Sequence, residues 1–492
     1  MEARSGLTGE GTMAESARGR ASGLLGVGGT VHFMGVGGAG MCALAELFAR
    51  RGVAVSGCDL RAGASVERLK ALGVTVAEGH DPEHVADAAA VVHTAAVPAD
   101  HPELAAARAR GLPVVKRARA LADVVNGGTV VAVAGTHGKT TTTAMVAGIL
   151  TEAGLDPTGF VGGSVRAWGG NLRVGRPDLS VVEADEFDRS FLHLEPTVAV
   201  VTNLEADHLD TYATLDDLED AFRAFVDRVP RHGRAVVCHD DPGAARLLPS
   251  LGDRAVTYGF AAGAQIRGVD VEVGEGRMRC RVFDHGRAVG AIEVAMPGGH
   301  NLANGLAAAA AAVAAGADWD AVRRALAEFG GVGRRFERLG ECGGVLVLDD
   351  YAHHPTELTA TLAAARAAFT DRRLVAVFQP HLYTRTRDFA DAFGRALAGA
   401  DEVWVSDVFP AREAPIPGVT GERVAEAVRA AGADVVYHAD VTTLADALAA
   451  AARPGDLVLT LGAGSIERVG PALLARLGET AGAVAGRGGD HG

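Results

Sequence analysis

Two glycine-rich turns, each running from an apolar strand into an apolar-periodic helix, constrain this chain more than any other feature. The first lies in VHFMGVGGAGMCALAELFARRG, starting at Val31, with Gly35, Gly37 and Gly40 in G-x-G-x-x-G spacing. The second lies in VVAVAGTHGKTTTTAMVAGIL, starting at Val130, and ends in Gly138, Lys139 and Thr140. A strand, a glycine turn and a helix N-terminus in that order aim backbone N–H groups at an anion. Two such units in one chain call for two anionic ligands and an α/β framework to carry them.

The sequence around the turns fits that framework. Strand-like runs VHFMGV, VAVSGCDL, VTVAEG, AAVVHTAAV and LPVVKRA alternate with helical MCALAELFARR and SVERLKALG, the βαβ pattern of a parallel sheet. Glycines in LADVVNGGT interrupt it. A second α/β stretch opens at Val130 and continues through LSVVEADEFD, PTVAVVTNLEADHLD and GRAVVCHDD. Residues 254–297 alternate in short pieces (AVTYGF, GVDVEVGEG, RMRCRVFD, AVGAIEVAM), predicting a small antiparallel insert before the alanine-rich helix HNLANGLAAAAAAVAAG. GVGRRFERLGE reads as a hinge, after which VLVLDDYAHHP, LVAVFQPH, EVWVSDVF, DVVYHA and DLVLTLGAGSI predict five more strands. At 492 residues the chain exceeds what one core organises. The expectation is three α/β domains, 30–127, 128–333 and 334–480, between flexible tails 1–29 and 481–492.

Charge narrows the partners. A net charge of -14 provides no basic face for nucleic acid or an anionic membrane, so anionic ligands need local donors. The sequence holds no 18-residue apolar run, and its first residues lack the apolar stretch of a signal peptide. Five cysteines without a C-x-x-C pair suggest neither a disulfide framework nor a zinc knuckle, and fit a reducing cytoplasm. Among 47 basic residues the lysines are Lys70, Lys116 and Lys139. A lysine kept inside a glycine turn therefore stands out.

Around the second turn, N–H groups from Gly135, Thr136, His137 and Gly138 to Thr141 would cradle phosphate. Lys139 would neutralise it, and the Thr140 hydroxyl would reach magnesium. Val133 stands where the usual phosphate-loop motif has its first glycine, which keeps a plain strand-to-helix turn in play. Acids follow at strand ends: Glu183 and Asp185 in VVEADEFD, then Asp207 with His208 in VTNLEADHLD, a set suited to one or two magnesium ions. Asn301 and Asn304 in GGHNLANG can read a purine edge, although alone they describe a helix start. Arg334 and Arg335 lie in the hinge. LDDYAHHPTE contributes Asp349, Asp350, Tyr351, His353 and His354, and FQPHLYTRTRD contributes His381, Arg385 and Arg387. Arginines and histidines at strand ends suit a small carboxylate; a solvated basic loop is the plainer reading.

Taken together, HFMGVGGAGM, AGTHGKTTT, EADEFDRSFLHLEP, TNLEADHLD, GRRFERLGE, DDYAHHPTE and FQPHLYTRTRD resemble the Mur ligases over about residues 31–470. The resemblance implies three domains: a Rossmann-like one for a UDP-sugar, a central ATPase and a Rossmann-like C-terminal one for the amino acid. It implies that Gly35, Gly37, Gly38, Ala39 and Gly40 grip the diphosphate of UDP-N-acetylmuramate, with Asp59, His93 and Thr94 beside them, so the first turn signals pyrophosphate without nicotinamide. Carried over by motif, Lys139 contacts the transferred phosphate, Thr140 and Glu183 hold a first magnesium and His208 a second. Asn301 and Asn304 sit at the adenine, Arg335 and Asp350 reach the nucleotide, and Tyr351, His353, His381 and Arg385 surround L-alanine. Leu382 follows His381 where some relatives carry arginine, which puts carboxylate recognition on Arg385. Sibling ligases bridge magnesium with a carbamylated lysine; this chain has no lysine after 139, and Arg223 stands fifteen residues beyond His208.

The implied reaction activates the lactyl carboxylate as an acyl phosphate and traps it with the amine of L-alanine, His353 being the candidate base. Lys139→Ala is expected to lose turnover by orders of magnitude with folding intact. Other readings are a recycling ligase that adds a whole tripeptide to the same sugar, a nicotinamide dehydrogenase and an ATP-dependent switch. Monomer and homodimer are both open.

Overall fold

The structure, a computed structural model, describes residues 23–487 apart from 62, 207–210, 213, 275 and 412. It builds three sheets. The first holds β1 (Thr30–Met34), β2 (Val55–Asp59), β3 (Thr75–Glu78), β4 (Ala88–His93) and β5 (Val114–Lys116) in the order β3-β2-β1-β4-β5. All its pairings are parallel. The order reverses at β1, and the first glycine turn leaves the sheet at that switch point, where open α/β sheets bind ligands.

The second sheet contains β6 (Thr129–Ala134), β7 (Pro157–Val165), β8 (Gly170–Arg173), β9 (Arg176–Glu183), β10 (Val198–Val201), β11 (Arg234–Cys238), β12 (Ala255–Gly259), β13 (Ile266–Gly274), β14 (Arg277–Asp284) and β15 (Arg287–Val294). Its order is β15-β14-β13-β12-β11-β10-β6-β9-β7-β8. Strand β6 is buried through Val130–Ala134 because helices cover both faces, and it pairs in parallel with β9 and β10. The second glycine turn leaves β6 and opens the helix Lys139–Glu152, on which the alanine-rich helix Gly299–Ala314 packs. The predicted antiparallel insert is smaller than its sequence span: β12 extends the parallel run beside β11, and only β13–β15 form the antiparallel edge. A second antiparallel pair, β7 with β8, closes the other edge.

The third sheet holds β16 (Glu337–Cys342), β17 (Val345–Asp350), β18 (Arg373–Phe378), β19 (Glu402–Val405), β20 (Val435–Tyr437) and β21 (Asp456–Leu461), ordered β16-β17-β21-β18-β19-β20. The five predicted strands run parallel. The sixth, β16, is antiparallel to β17 and takes up the second half of the segment read as a hinge, from Glu337 on. The turn itself narrows to residues 333–336, where Arg334 and Phe336 adopt left-handed backbone (φ 59 and 51).

The first two sheets share one apolar cluster, running from Val31 and Phe33 into Val130–Ala134 and Val198–Val201. The third has its own clusters. Leu24, inside the expected N-terminal tail, is buried in the shared cluster, and the last helix, Val469–Arg487, runs past the expected boundary at 480. Among the described residues no helix is long and apolar enough to cross a membrane.

Candidate active site

The first turn is braced from the end of β2. Gly37 N donates to Asp59 Oδ2 at 2.8 Å, and a Cβ at Gly37 would meet that oxygen at 2.9 Å, so only glycine admits the brace. One oxygen of Asp59 is therefore spent on the turn. Gly35, Gly37, Gly38, Asp59 and Thr94 line a cavity of ≈ 760 Å³. Ala39 and Gly40 open instead onto a ≈ 300 Å³ cavity that leads past Arg117 and Phe160 to Glu183. His93 is buried at the end of β4, with Nδ1 3.1 Å from Thr94 O, and lines neither cavity.

The second turn is held by the strand end after β10. His137 N donates to Asn203 Oδ1 at 2.7 Å, Thr202 Oγ1 to His137 O at 2.6 Å, and Thr136 N to Asn203 O at 3.1 Å. Gly138 is left-handed (φ 82), and the Asn304 amide oxygen occupies the space a Cβ would need. Lys139 Nζ reaches Gly135 O (2.6 Å), Thr136 O (3.3 Å) and Glu186 Oε1 (2.8 Å). Burial would lower its pKa; the carboxylates of Glu186, Asp185 and Glu183 outweigh it and keep Lys139 charged. Thr140 Oγ1 donates to Glu183 Oε1 at 3.0 Å, and Gly162 N to Glu183 Oε2 at 2.6 Å. A hydroxyl at the start of the helix Lys139–Glu152 and a carboxylate at the end of β9 form an all-oxygen donor set that suits magnesium. His208 and Asp207 lie outside the described residues. Arg223 is paired with Glu219 (2.8 Å) and Asp220 (2.7 Å) on its own helix.

Asn301 and Asn304 are buried and line a cavity of ≈ 300 Å³ with Gly138, Thr141, Tyr258, Arg335 and Asp350. Asn301 Nδ2 donates to Pro297 O at 2.8 Å, which fixes its carbonyl orientation. Asp350 accepts from Phe336 N (2.7 Å) and Ala352 N (2.8 Å), and burial pushes its carboxyl up to about 6.

The three domains meet in a larger cavity of ≈ 770 Å³. Ala39 of the first turn, residues 136–140 of the second with Glu183, Gly333–Arg335 of the hinge, and Tyr351 and His353 beyond it all line this space. Arg335 Nη2 donates to Thr140 Oγ1 at 3.5 Å, and the guanidinium carbons of Arg334 and Arg335 both lie 5.1 Å from the Tyr351 ring centroid. His381 is tied to the group by ring contact with His353 (5.9 Å between centroids), but neither it nor buried Arg385 lines the cavity.

The comparisons with known proteins follow the same three-part division. The family descriptions "Mur ligase family, catalytic domain", "Mur ligase middle domain" and "Mur ligase, glutamate ligase domain" match residues 30–129, 133–312 and 334–464. The UDP-N-acetylmuramate–L-alanine ligase of Burkholderia cenocepacia is 49% identical over 443 residues, covering 89% of this chain and 95% of that protein. The chain belongs to the Mur ligase family. The ligase of the same name from Solidesulfovibrio magneticus is 46% identical over 442 residues, 89% of this chain and 96% of its own. Among solved structures, the UDP-N-acetylmuramate-alanine ligase of Thermotoga maritima superposes with TM-score 0.80 at 28% identity, covering 92% of this chain and 100% of that one. A murein peptide ligase from Psychrobacter arcticus gives TM-score 0.69 at 27% identity, with coverage of 92% and 99%.

In this Mur ligase three acids complete the site that motif reading passes over. Glu186 is 2% exposed and holds Lys139. Glu357 accepts from His353 N (2.9 Å) and His137 Nδ1 (3.1 Å). Burial would raise its pKa; His353, His137 and Arg335 hold it well below the usual range. Glu205 accepts from Thr356 Oγ1 at 2.8 Å across the same domain boundary. Only Glu357 left a trace in the sequence: H-P-T-E is a capping-box pattern, and Glu357 closes that box at the helix Pro355–Ala368.

Proposed function

We propose that this Mur ligase joins L-alanine to the lactyl carboxylate of UDP-N-acetylmuramate with conversion of ATP to ADP and phosphate, in peptidoglycan precursor synthesis. The carrying observation is the ≈ 770 Å³ cavity lined at once by the first glycine turn, the second glycine turn and the C-terminal domain. A ligation of three substrates needs one space open to all three. The ligases of that name cited above support the choice of substrates.

A carboxylate resists amine attack because it would have to expel an oxide. In the first step the lactyl carboxylate oxygen attacks the γ-phosphorus of ATP; a P–O bond forms, the bond to ADP breaks, and an acyl phosphate results. Lys139 exchanges its contact with Glu186 for the transferred phosphoryl oxygens, and Arg335 supplies a second cation from the hinge. Thr140 and Glu183 would hold a magnesium ion, and His208 a second, which would supply charge neutralisation on the phosphates. In the second step the neutral amine of L-alanine attacks the acyl carbon, and the tetrahedral intermediate expels phosphate. We assign the deprotonation to His353 and the carboxylate of L-alanine to Arg385, with Tyr351 and His381 beside it. Closure of the third domain keeps water from the acyl phosphate.

The test is ADP release with ATP, magnesium and UDP-N-acetylmuramate, adding L-alanine, glycine, L-serine or the L-Ala-D-Glu-diaminopimelate tripeptide in separate reactions. Turnover led by L-alanine supports the proposal. Preference for the tripeptide would make the enzyme a recycling ligase, and no turnover with any acceptor would sink both readings.

A further inference from the structure

The N-terminal domain contains a cluster with no assigned part in the ligation, although His80 also lines the first-turn cavity. Glu103, fully buried at the start of the helix Pro102–Ala109, is surrounded by His80 Nδ1 (2.8 Å), His84 Nδ1 (2.8 Å) and Cys58 Sγ (3.4 Å). Cys58 Sγ is in turn 3.3 Å from His80 Nδ1. His32, 1% exposed, comes up from β1: its Nδ1 pairs with Ser56 Oγ at 2.9 Å, while Nε2 meets no hydrogen-bond partner among the described residues. A His32 ring nitrogen, Cys58 Sγ and a Glu103 oxygen lie within 4.8 Å of one another, and His80 and His101 form a second such group with Glu103.

An unpartnered imidazole nitrogen in a dry interior costs free energy that a simple hydrogen-bond cluster leaves unrecovered. Metal legs of about 2.0–2.3 Å in a tetrahedron put neighbouring donors about 3.3–3.8 Å apart. The Cys58–His80 and Cys58–Glu103 separations already have that length. Thiol, imidazole and carboxylate together are the donor set of zinc rather than of magnesium or calcium.

We propose that Cys58, Glu103 and His32 hold a structural zinc ion beneath the first glycine turn, with His80, 3.3 Å from Cys58 Sγ, turning in as the fourth ligand. Binding releases the Cys58 thiol proton to solvent, and a Zn–S bond replaces the S–H contact with Glu103. The ion would tie β1, β2, the loop after β3 and the helix Pro102–Ala109 at one point. Cys58 O accepts from Gly35 N (2.9 Å) and Val36 N (3.1 Å), and Asp59 braces Gly37, so the tie bears directly on the turn. C-x-x-C spacing could not announce such a site, because the ligands come from four separate segments.

The full-length protein, stripped with a chelator and kept in saturating magnesium without nucleotide, is titrated with cobalt and then zinc. A near-ultraviolet thiolate-to-cobalt band that saturates at one equivalent and is displaced by zinc is the expected result. Cys58→Ser should abolish the band, and Glu103→Gln should weaken cobalt binding by on the order of tenfold or more. Because either variant could unfold, the melting temperature is followed in parallel: zinc should raise it in the unaltered protein and not in Glu103→Gln. Absence of the band in the unaltered protein, or an equal band in folded Cys58→Ser, overturns the proposal.

Discussion

His137 in the second glycine turn donates its Nδ1 hydrogen to Glu357 of the C-terminal domain at 3.1 Å, and its Nε2 lies 3.6 Å from Glu205. Burial would lower the pKa of this imidazole; the two carboxylates outweigh it and carry it to about 9 from an ordinary 6.5. A histidine with a raised folded-state pKa contributes stability that is fully present below pH 6.5 and lost as pH rises through about 9. The shift bounds that contribution at about 3 kcal/mol. The melting temperature of the unaltered enzyme should fall between pH 7 and 9.5. His137→Gln should melt lower at pH 7 and show a flatter profile. Parallel profiles for the two proteins would remove the charged clasp.

Lys139 and Glu186 change the expectation for the phosphate-loop lysine. Lys139→Ala removes the cation that the buried Glu186 carboxylate meets at 2.8 Å, which should lower stability. Motif reading expects folding to stay intact; the buried contact adds an expected loss of stability to the loss of turnover. The single variant should lose turnover by about 10³-fold or more and also melt lower. Lys139→Ala with Glu186→Gln should recover part of the melting temperature and none of the rate. Recovery of the rate would show that Lys139 serves only to neutralise Glu186.

Gly138→Ala tests the cradle itself. Its left-handed φ costs a non-glycine residue about 1 kcal/mol, and the new methyl group must displace the Asn304 amide, which lines the cavity proposed for the nucleotide. The steric term is the larger, so ATP affinity should fall more steeply than stability. Calorimetric titration with ATP beside a thermal melt separates the two; a variant that melts lower yet binds ATP normally would contradict the assigned role of Asn304.

The three domains and the motif residues were legible because strand ends and glycine turns impose local patterns. Lys139, Thr140 and Glu183 sit at such positions, and they converge. What escaped was non-local. Nothing around Glu186 says that it will be buried against Lys139, since that depends on how the segment after β9 folds back over the second turn. The β7–β8 pair escaped because glycine-rich PTGFVGGSV lacks strand alternation. β16 was hidden inside a motif whose arginines read as a hinge. His93, placed beside the first turn together with Thr94, is buried at the end of β4 and lines neither cavity there, whereas Thr94, just past the strand end, lines both.

The hinge sets two energies against each other at Arg334. Its left-handed backbone stores about 1–2 kcal/mol of strain in a non-glycine residue. Against this, its guanidinium donates to Asp349 Oδ2 (2.8 Å) and Gly462 O (2.6 Å), and pairs with Glu467 at 3.2 Å. Hydrogen bonds involving a charged group contribute about 1.5–3 kcal/mol each when buried, so the contacts outweigh the strain. Arg334→Gly, which relieves the backbone and removes the fork, should therefore destabilise the enzyme. Arg334→Lys should do so less severely, because one ammonium cannot span the three acceptors. Asp349 also accepts from Thr460 Oγ1 at 2.6 Å, a contact that neither substitution removes, which limits the loss. Since the next residue, Arg335, reaches Thr140 from this turn, kcat should fall along with the melting temperature. A glycine variant more stable than the parent would mean that strain governs the hinge and that the arginine fork contributes little.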